Sequence, residues 1–216
     1  MSLRLYDYAA SANCYKVRLL LAQLGRDYER VPVDIFAGET LTDEFVAMNV
    51  ARRTPVLERA PGDFLPESNA ILLHLAEGTP FLSADRSARA HVYQWLFFEQ
   101  SFFEPTVGGA RFWKLTGRDE SDPARFGAML GRAADAMRML ERHLVGREFV
   151  VGSEYTVADI GLYGYAHVAE QAGLEPVQFP YISAWLGRVS ATPRMMNDLE
   201  PYPENALAGR GTSVHG

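Results

Sequence analysis

Cysteine is the scarcest reactive residue in this chain. A single one, Cys14, occurs among 216 residues, so no internal disulfide can form and no cysteine-based metal cluster can be built. The five histidines are dispersed without metal-ligand spacing, which argues against the common zinc patterns. No uninterrupted apolar run approaches the roughly 20 residues that a membrane-spanning helix needs. Positive charge is also in short supply: 21 Lys and Arg stand against 27 Asp and Glu, for a formal net charge of -6. The basic residues are scattered, and the pair Arg52-Arg53 is too short to track phosphates, so a general nucleic-acid binder is disfavoured. The chain opens directly on strand-forming residues, without a basic segment leading into an apolar run. No signal peptide is therefore expected, and the expected location is the cytoplasm.

What is present reads as two regions of different character. Residues 3–6 suggest a short strand, 9–13 a small polar loop, and Val17, Leu20, Leu21 and Leu24 a helix that begins near Cys14 and stops before Gly25. A second strand over 28–34 makes a strand–helix–strand unit, which implies a parallel pair with a crossover helix. A short helix over 42–48, a strand from Pro55 to Glu58, a turn at Pro61-Gly62-Asp63, a returning strand at Phe64-Leu65 and a helix over 70–76 follow. That order suggests a thioredoxin-like α/β domain over residues 1–78.

After a linker over 79–87, strand patterns almost vanish. Helices are expected over 88–103, 123–144 and 180–190, the second carrying an apolar seam of Phe126, Leu130, Ala133, Met137, Leu140 and Leu144. Thr156 and Asp159 spell a capping box at the start of a further helix. The second region is thus expected to be an all-helical domain over 87–205, and the Pro-, Gly- and Ala-rich tail from Pro201 is expected to be mobile.

Four features can carry chemistry, and each has a plainer reading. Ser11, Asn13 and Cys14 sit at a helix N-terminus, where free amides and the positive dipole end stabilise an anion such as a thiolate; Ser11 or Asn13 could equally be only a cap. Thr54-Pro55 heads a strand, either as a ligand-pairing segment or as a simple strand-initiating proline. Glu67-Ser68 precedes a helix, where the serine and free amides could hold a carboxylate and Glu67 an ammonium, or the serine could only cap. The aromatic residues Phe97, Phe98, Phe102, Phe103, Phe112 and Trp113 could line an apolar pocket or fill a core.

The stretches YDYAASANCYKVRLLLAQLG, MNVARRTPVLERAPGDFLPESNAILLHL, EYTVADIGLYGYA and FPYISAWLGRVSATPRM, in this order and spacing, resemble the cytosolic glutathione transferase family, over roughly residues 3–193. The resemblance implies the family architecture, a thioredoxin-like N-terminal domain plus an all-α C-terminal domain. It also implies a cytoplasmic homodimer that uses glutathione as co-substrate, needs no metal and serves in detoxification. Thr54 would pair through its backbone with the cysteinyl part of glutathione, with Pro55 in cis. Glu67 and Ser68 would hold the γ-glutamyl end, and Arg52, with its neighbour Arg53, the glycyl carboxylate.

Ser11 falls at the thiolate-stabilising serine of theta-, delta- and zeta-like members, Cys14 at the cysteine of beta-like bacterial members, and Asn13 near an asparagine of other bacterial members. The expected order is Ser11, then Asn13, then Cys14. Phe102, Phe103, Phe112 and Trp113 would line the pocket for a small hydrophobic electrophile. The chain departs from the family at Asn49-Val50, where Asn-Pro is common, at Thr54, where Val or Ile is common, and in lacking a tyrosine at the position used by alpha-, mu- and pi-like members. Conjugation of the glutathione thiolate to an electrophile is the implied reaction. Isomerase, dehalogenase, lyase or disulfide-reductase chemistry on the same site, and non-catalytic binding, are the alternatives.

Overall fold

A computed structural model describes residues 3–214, which fall into two units: one up to Leu75 and again from Met196, the other Ala76–Met195. The first holds a four-stranded sheet, β1 (Leu3–Asp7), β2 (Tyr28–Pro32), β3 (Val56–Ala60) and β4 (Asp63–Pro66), in the order β2-β1-β3-β4. β1 and β2 are parallel, as a helical crossover requires, and β3 and β4 are antiparallel to their neighbours. The crossover is α1 (Ala12–Leu24). It stops at Gly25, whose φ of 62° allows the amides of Gly25 and Arg26 to reach back to Ala22 and Leu21.

Successive strand residues face opposite ways. Tyr6, Val56 and Phe64 pack with Val33 and with Phe45 and Met48 of α2 (Asp43–Met48). On the other face Asp7 meets Arg18 of α1, and Leu5 and Leu57 are fully buried. α3 (Ser68–Ala76) buries Ile71, Leu72 and Leu75.

The second unit is helical, and its first long helix runs further than the sequence predicts. α4 (Arg86–Phe98) does not end near Phe103; it continues as a widened π-helical stretch, Glu99–Gly108, into α5 (Gly109–Leu115). Pro105 lacks an amide to donate, and the Thr106 hydroxyl instead donates to the carbonyls of Phe102 and Phe103 at 2.7 and 3.2 Å. Gly108 lets the Tyr165 ring approach, since a Cβ there would lie 2.5 Å from a ring carbon.

After the short α6 (Arg118–Ser121), α7 (Pro123–Leu144) matches the predicted span and buries Ala133, Met137, Leu140 and Leu144 of the seam. α8 (Val157–Ala166) starts with the expected capping box. The fully buried Asp159 does more than cap. It accepts from the amides of Val150 and Thr156 at 2.8 and 2.9 Å and from Trp185 Nε1 at 2.9 Å, joining α8 to α9 (Pro180–Ser190) and to the preceding loop. Glu141 of α7 accepts from the amides of Tyr181 and Ile182 and so caps α9 from outside. Among the described residues no helix is long and apolar enough to cross a membrane.

Residues 196–205, predicted to belong to the helical domain, instead join the first unit. The tail predicted to be mobile is tied there. Asp198 binds Arg18, the Glu200 amide donates to Ala9 O, Asn205 Nδ2 donates to Asp34 at 2.8 Å and the Thr212 amide to Phe36 O at 2.8 Å. Apolar periodicity could not reveal this, because polar groups and backbone make the attachment.

Replacing Asp159 by Ala leaves four buried donors without their acceptor, the Thr156 hydroxyl among them. Denaturant unfolding followed by tryptophan fluorescence should show a loss of about 3 kcal/mol or more, against about 1 kcal/mol for Thr156→Ala, which removes a single cap acceptor.

Candidate functional site

The turn after β1 is fixed by its own backbone and by α1. The Ser11 amide donates to Tyr8 O at 3.0 Å, the Tyr8 amide to Cys14 Sγ at 3.4 Å, and the Cys14 amide to Ser11 Oγ at 3.3 Å. Ser11 is thus the N-cap of α1, the plainer of its two readings. The cap uses a lone pair of the hydroxyl and leaves its proton to give, so capping does not compete with donation to an anion. By helix geometry the amides of the first turn have no acceptor inside the helix, and they stand beside that hydroxyl.

Asn13 is tied from two directions. Its Oδ1 accepts from Lys16 Nζ at 2.7 Å and from Ser68 Oγ at 3.2 Å, which turns its NH₂ group the other way. Through Asn13 the start of α1 and the start of α3 are directly bonded. Lys16 is fully buried, so its ammonium brings a positive charge to this junction that the sequence reading passed over.

Cys14 is a correction. Its side chain has no exposed surface. Burial, aided by the Asp7 carboxylate, pushes the thiol up to about 12, against the opposing pull of the Thr54 and Ser11 hydroxyls and the Tyr8 amide. A neutral, enclosed thiol offers a ligand neither charge nor contact. The same interactions put Ser11, Cys14 and Thr54 side by side.

Thr54 precedes the β3 ladder, whose first pair is Val56 with Tyr6, and the Thr54-Pro55 peptide is cis. Asn49 braces this turn from within: its Nδ2 donates to Arg53 O at 2.8 Å, its Oδ1 accepts from the Ala51 amide at 3.0 Å, and its carbonyl accepts from the Arg52 amide at 2.9 Å. The Arg52 and Arg53 side chains stay exposed, and Arg52 holds a φ of 57°. In the sequence Asn49 was marked only by the missing proline after it; its bracing role depends on contacts four residues away.

Glu67 has a φ of 74°, a left-handed conformation that disfavours a side chain and that folded proteins retain mainly at working sites. It leaves Glu67 exposed while Ser68, buried at the start of α3, bonds Asn13.

The tyrosines near the turn are engaged otherwise. Tyr6 OH is bonded to Glu58 and Arg4. Tyr8 is buried between Phe36 and Tyr202, and its phenol is raised by that burial. A cleft of about 500 Å³ lies between the turn and the tail, with Asp7, Tyr8, Ala9, Arg30, Asp34 and Glu200 among its walls.

In the helical unit, Phe103 is a second correction: it is fully buried beside Phe98, so it is core and not pocket wall. Phe102 stacks on Phe98, while guanidinium groups lie over the rings of Phe112 (Arg118) and Trp113 (Arg125) at 4.7 and 4.8 Å. These three rings are therefore occupied by neighbours of their own unit.

The family model of the glutathione S-transferase N-terminal domain matches residues 1–77, and that of the glutathione S-transferase C-terminal domain matches residues 113–193. The chain is 30% identical over 198 residues to a glutathione S-transferase-like protein, LUC7, of Fusarium, covering 88% of this chain and 89% of that protein. A crystal structure of a glutathione S-transferase from Pseudomonas fluorescens superimposes with a TM-score of 0.90 at 40% identity, over 93% of this chain and all (100%) of that one. A second transferase family member from the same species, solved with two glutathione molecules bound, gives a TM-score of 0.80 at 28% identity over 93% of each chain. With both domain models matched, and with close relatives aligned over nearly the whole length, the chain belongs to the glutathione S-transferase family.

Proposed function

We propose that the protein binds glutathione in its first unit and transfers the glutathione thiolate to a small hydrophobic electrophile in the cytoplasm. The observation that carries this reading is the junction of Ser11, Asn13, Ser68 and Thr54, four polar groups from three segments gathered at the free amides of α1. In it, Glu67 pairs with the γ-glutamyl ammonium, and the amides at the start of α3 take the neighbouring carboxylate, with Ser68 turning its hydroxyl proton from Asn13 to join them. Thr54 pairs with the cysteinyl backbone, and the exposed Arg52 and Arg53 take the glycyl carboxylate.

The sulfur then lies at the start of α1. A thiol titrates near pH 8.5, and a hydrogen bond to the charged form contributes about 1.5–3 kcal/mol, or about one to two pK units. Ser11 Oγ–H as donor, with Asn13 second, is thus sufficient to make thiolate the main form near neutrality. The thiolate attacks the electrophilic carbon, its lone pair forms the C–S bond, and the leaving group departs with the displaced electron pair. The chemistry itself asks for no metal or redox cofactor.

Two copies of the chain form the working unit in this reading. Strongly exposed apolar side chains that association would cover occur in both units: Val50 at 86% exposure in the first, Phe97 at 72% and Val177 at 84% in the second. Sedimentation should give a species of twice the 24.1 kDa chain mass; a single monomeric species at micromolar concentration contradicts the dimer.

Ser11→Ala should lower turnover by about 10²–10³ and remove the ultraviolet band of bound thiolate, whereas Cys14→Ala should keep both. At pH 8 the thiolate fraction of native Cys14 should be about 10³-fold below that of a free cysteine, so a thiol reagent should label it readily only after unfolding. A stable mixed disulfide between glutathione and Cys14 in the folded protein would reverse the assignment. Glu67→Ala and Ser68→Ala should each raise the glutathione requirement more than about tenfold, because each removes a charge-assisted contact. Unchanged affinity in both would remove the proposed γ-glutamyl site. Product analysis over a panel of electrophiles and disulfides separates conjugation from other glutathione chemistry.

A further inference from the structure

The turn from Tyr8 to Ser11 is not held by α1 alone. The carbonyl of Ala9, at its centre, accepts from Arg18 Nη2 at 3.3 Å and from the backbone amide of Glu200 at 3.3 Å. The first of these donors is itself fixed by the tail. Asp198 grips Arg18 Nε with both carboxylate oxygens, at 3.0 and 2.8 Å, and the Asp198 carbonyl lies 3.5 Å from Nη2. On its remaining side Arg18 donates to Asp7 of β1, whose other oxygen accepts from Arg30 of β2. Two further bonds keep the tail on course past the turn: Tyr15 OH donates to Met196 O at 2.8 Å, and Asn205 holds Asp34.

Both groups that hold Ala9 O therefore depend on the segment 196–205. Ser11 is two residues further on, and its amide closes the same turn onto Tyr8 O. A guanidinium without solvent access keeps one orientation only while its acceptors are in place. Removing the Asp198 charge leaves Asp7 as the only carboxylate on Arg18, and Nη2 loses the reason to face Ala9.

We propose that the C-terminal segment is a strap that positions the Ser11 hydroxyl, with Asp198 as its clamp and the Glu200 amide as its second hold. Asp198 is a positioning residue, and the proposal rests on the reading of Ser11 as the thiolate's donor. It assigns the tail a part in tuning the sulfur, not in binding the tripeptide, because none of the proposed glutathione contacts beyond the turn touches it.

The test is the pH titration of the bound-thiolate band, together with kcat/KM against pH, in the full-length protein. In Asp198→Asn the apparent pKa of bound glutathione should rise by about half to one unit, so kcat/KM falls about three- to tenfold near pH 6.5 and rejoins the parent at high pH, while glutathione affinity changes less than about twofold. Asp198→Glu, which restores the charge, should move the profile back toward the parent. Glu200→Pro removes the N–H that reaches Ala9 together with the Glu200 side chain, and Glu200→Ala, which loses the side chain but keeps the N–H, is its control and should match the parent. The proline variant should show a shift of the same direction, and it carries the test if Asp198→Asn does not fold. Titrations of Asp198→Asn and Glu200→Pro that superimpose on the parent's overturn the strap, as does a loss of rate that is uniform across pH, the mark of a merely structural role. A parent protein that binds glutathione without a thiolate band overturns the Ser11 reading and the strap together; a parental band with Asp198→Asn and Glu200→Pro unshifted overturns the strap alone.

Discussion

Arg18 is buried without access to water, and a guanidinium in that position has to be met by acceptors on every side. Much of the first unit is arranged around that requirement. Asp7 supplies one carboxylate from the strand, Asp198 another from the far end of the chain, and Ala9 a carbonyl from the turn between them. Each partner comes from a different segment, so satisfying one side chain fixes the end of β1, the path of the tail and the shape of the β1–α1 turn at once. Breaking a buried pair by removing one partner typically costs about 3–5 kcal/mol, because the other charge remains behind. The partly exposed Asp198 stands toward the low end of that range, since water reaches its own carboxylate and screens the pair from that side.

Local regularity was readable in the sequence wherever apolar spacing or a cap sets it. α7 and α9 begin and end where the seam and the two prolines at 123 and 180 place them, and Thr156 and Asp159 form the capping box their spacing spells. The parallel pairing of β1 and β2 follows from the strand–helix–strand order. What escaped is everything decided by polar partners distant in sequence. Asp198 lies 180 residues from Arg18, and Ser68 lies 55 from Asn13. A Pro- and Gly-rich tail has the composition of a loose end, and only the buried guanidinium shows why it is not one. The π-helical stretch escaped for a different reason: its wider hydrogen-bond pairing is a property of the backbone, and the spacing sought along the sequence was that of an ordinary helix.

In the candidate site the residues were legible and their division of labour was not. Sequence offered capping or function for Ser11 as alternatives, but a hydroxyl accepts and donates at once, and the Cys14 amide uses only its acceptor side. Asn13 was read as a second donor; its carbonyl turns out to be a bracket between two helix starts, held by a buried ammonium on one side and Ser68 on the other. The aromatic residues are the weakest part of the sequence reading. Phe103 is core, and Phe112 and Trp113 serve as platforms for guanidinium groups, roles that composition alone does not separate from a substrate wall.

The burial of Cys14 bears on how the start of α1 can serve a ligand. A helix N-terminus carries roughly half a positive charge, felt within its first turn. Were Cys14 ionised there, its own sulfur would take that potential and repel a second thiolate nearby. Burial and the Asp7 carboxylate hold it neutral instead, up to about 12, and spend its lone pair on the Tyr8 amide inside the turn. The first-turn amides that Ser11 does not accept from, and the Ser11 proton, are then left for an anion arriving from outside. The protein's own sulfur is thereby a structural atom of the turn, and its neutrality is a condition for the proposed glutathione sulfur to be the charged one.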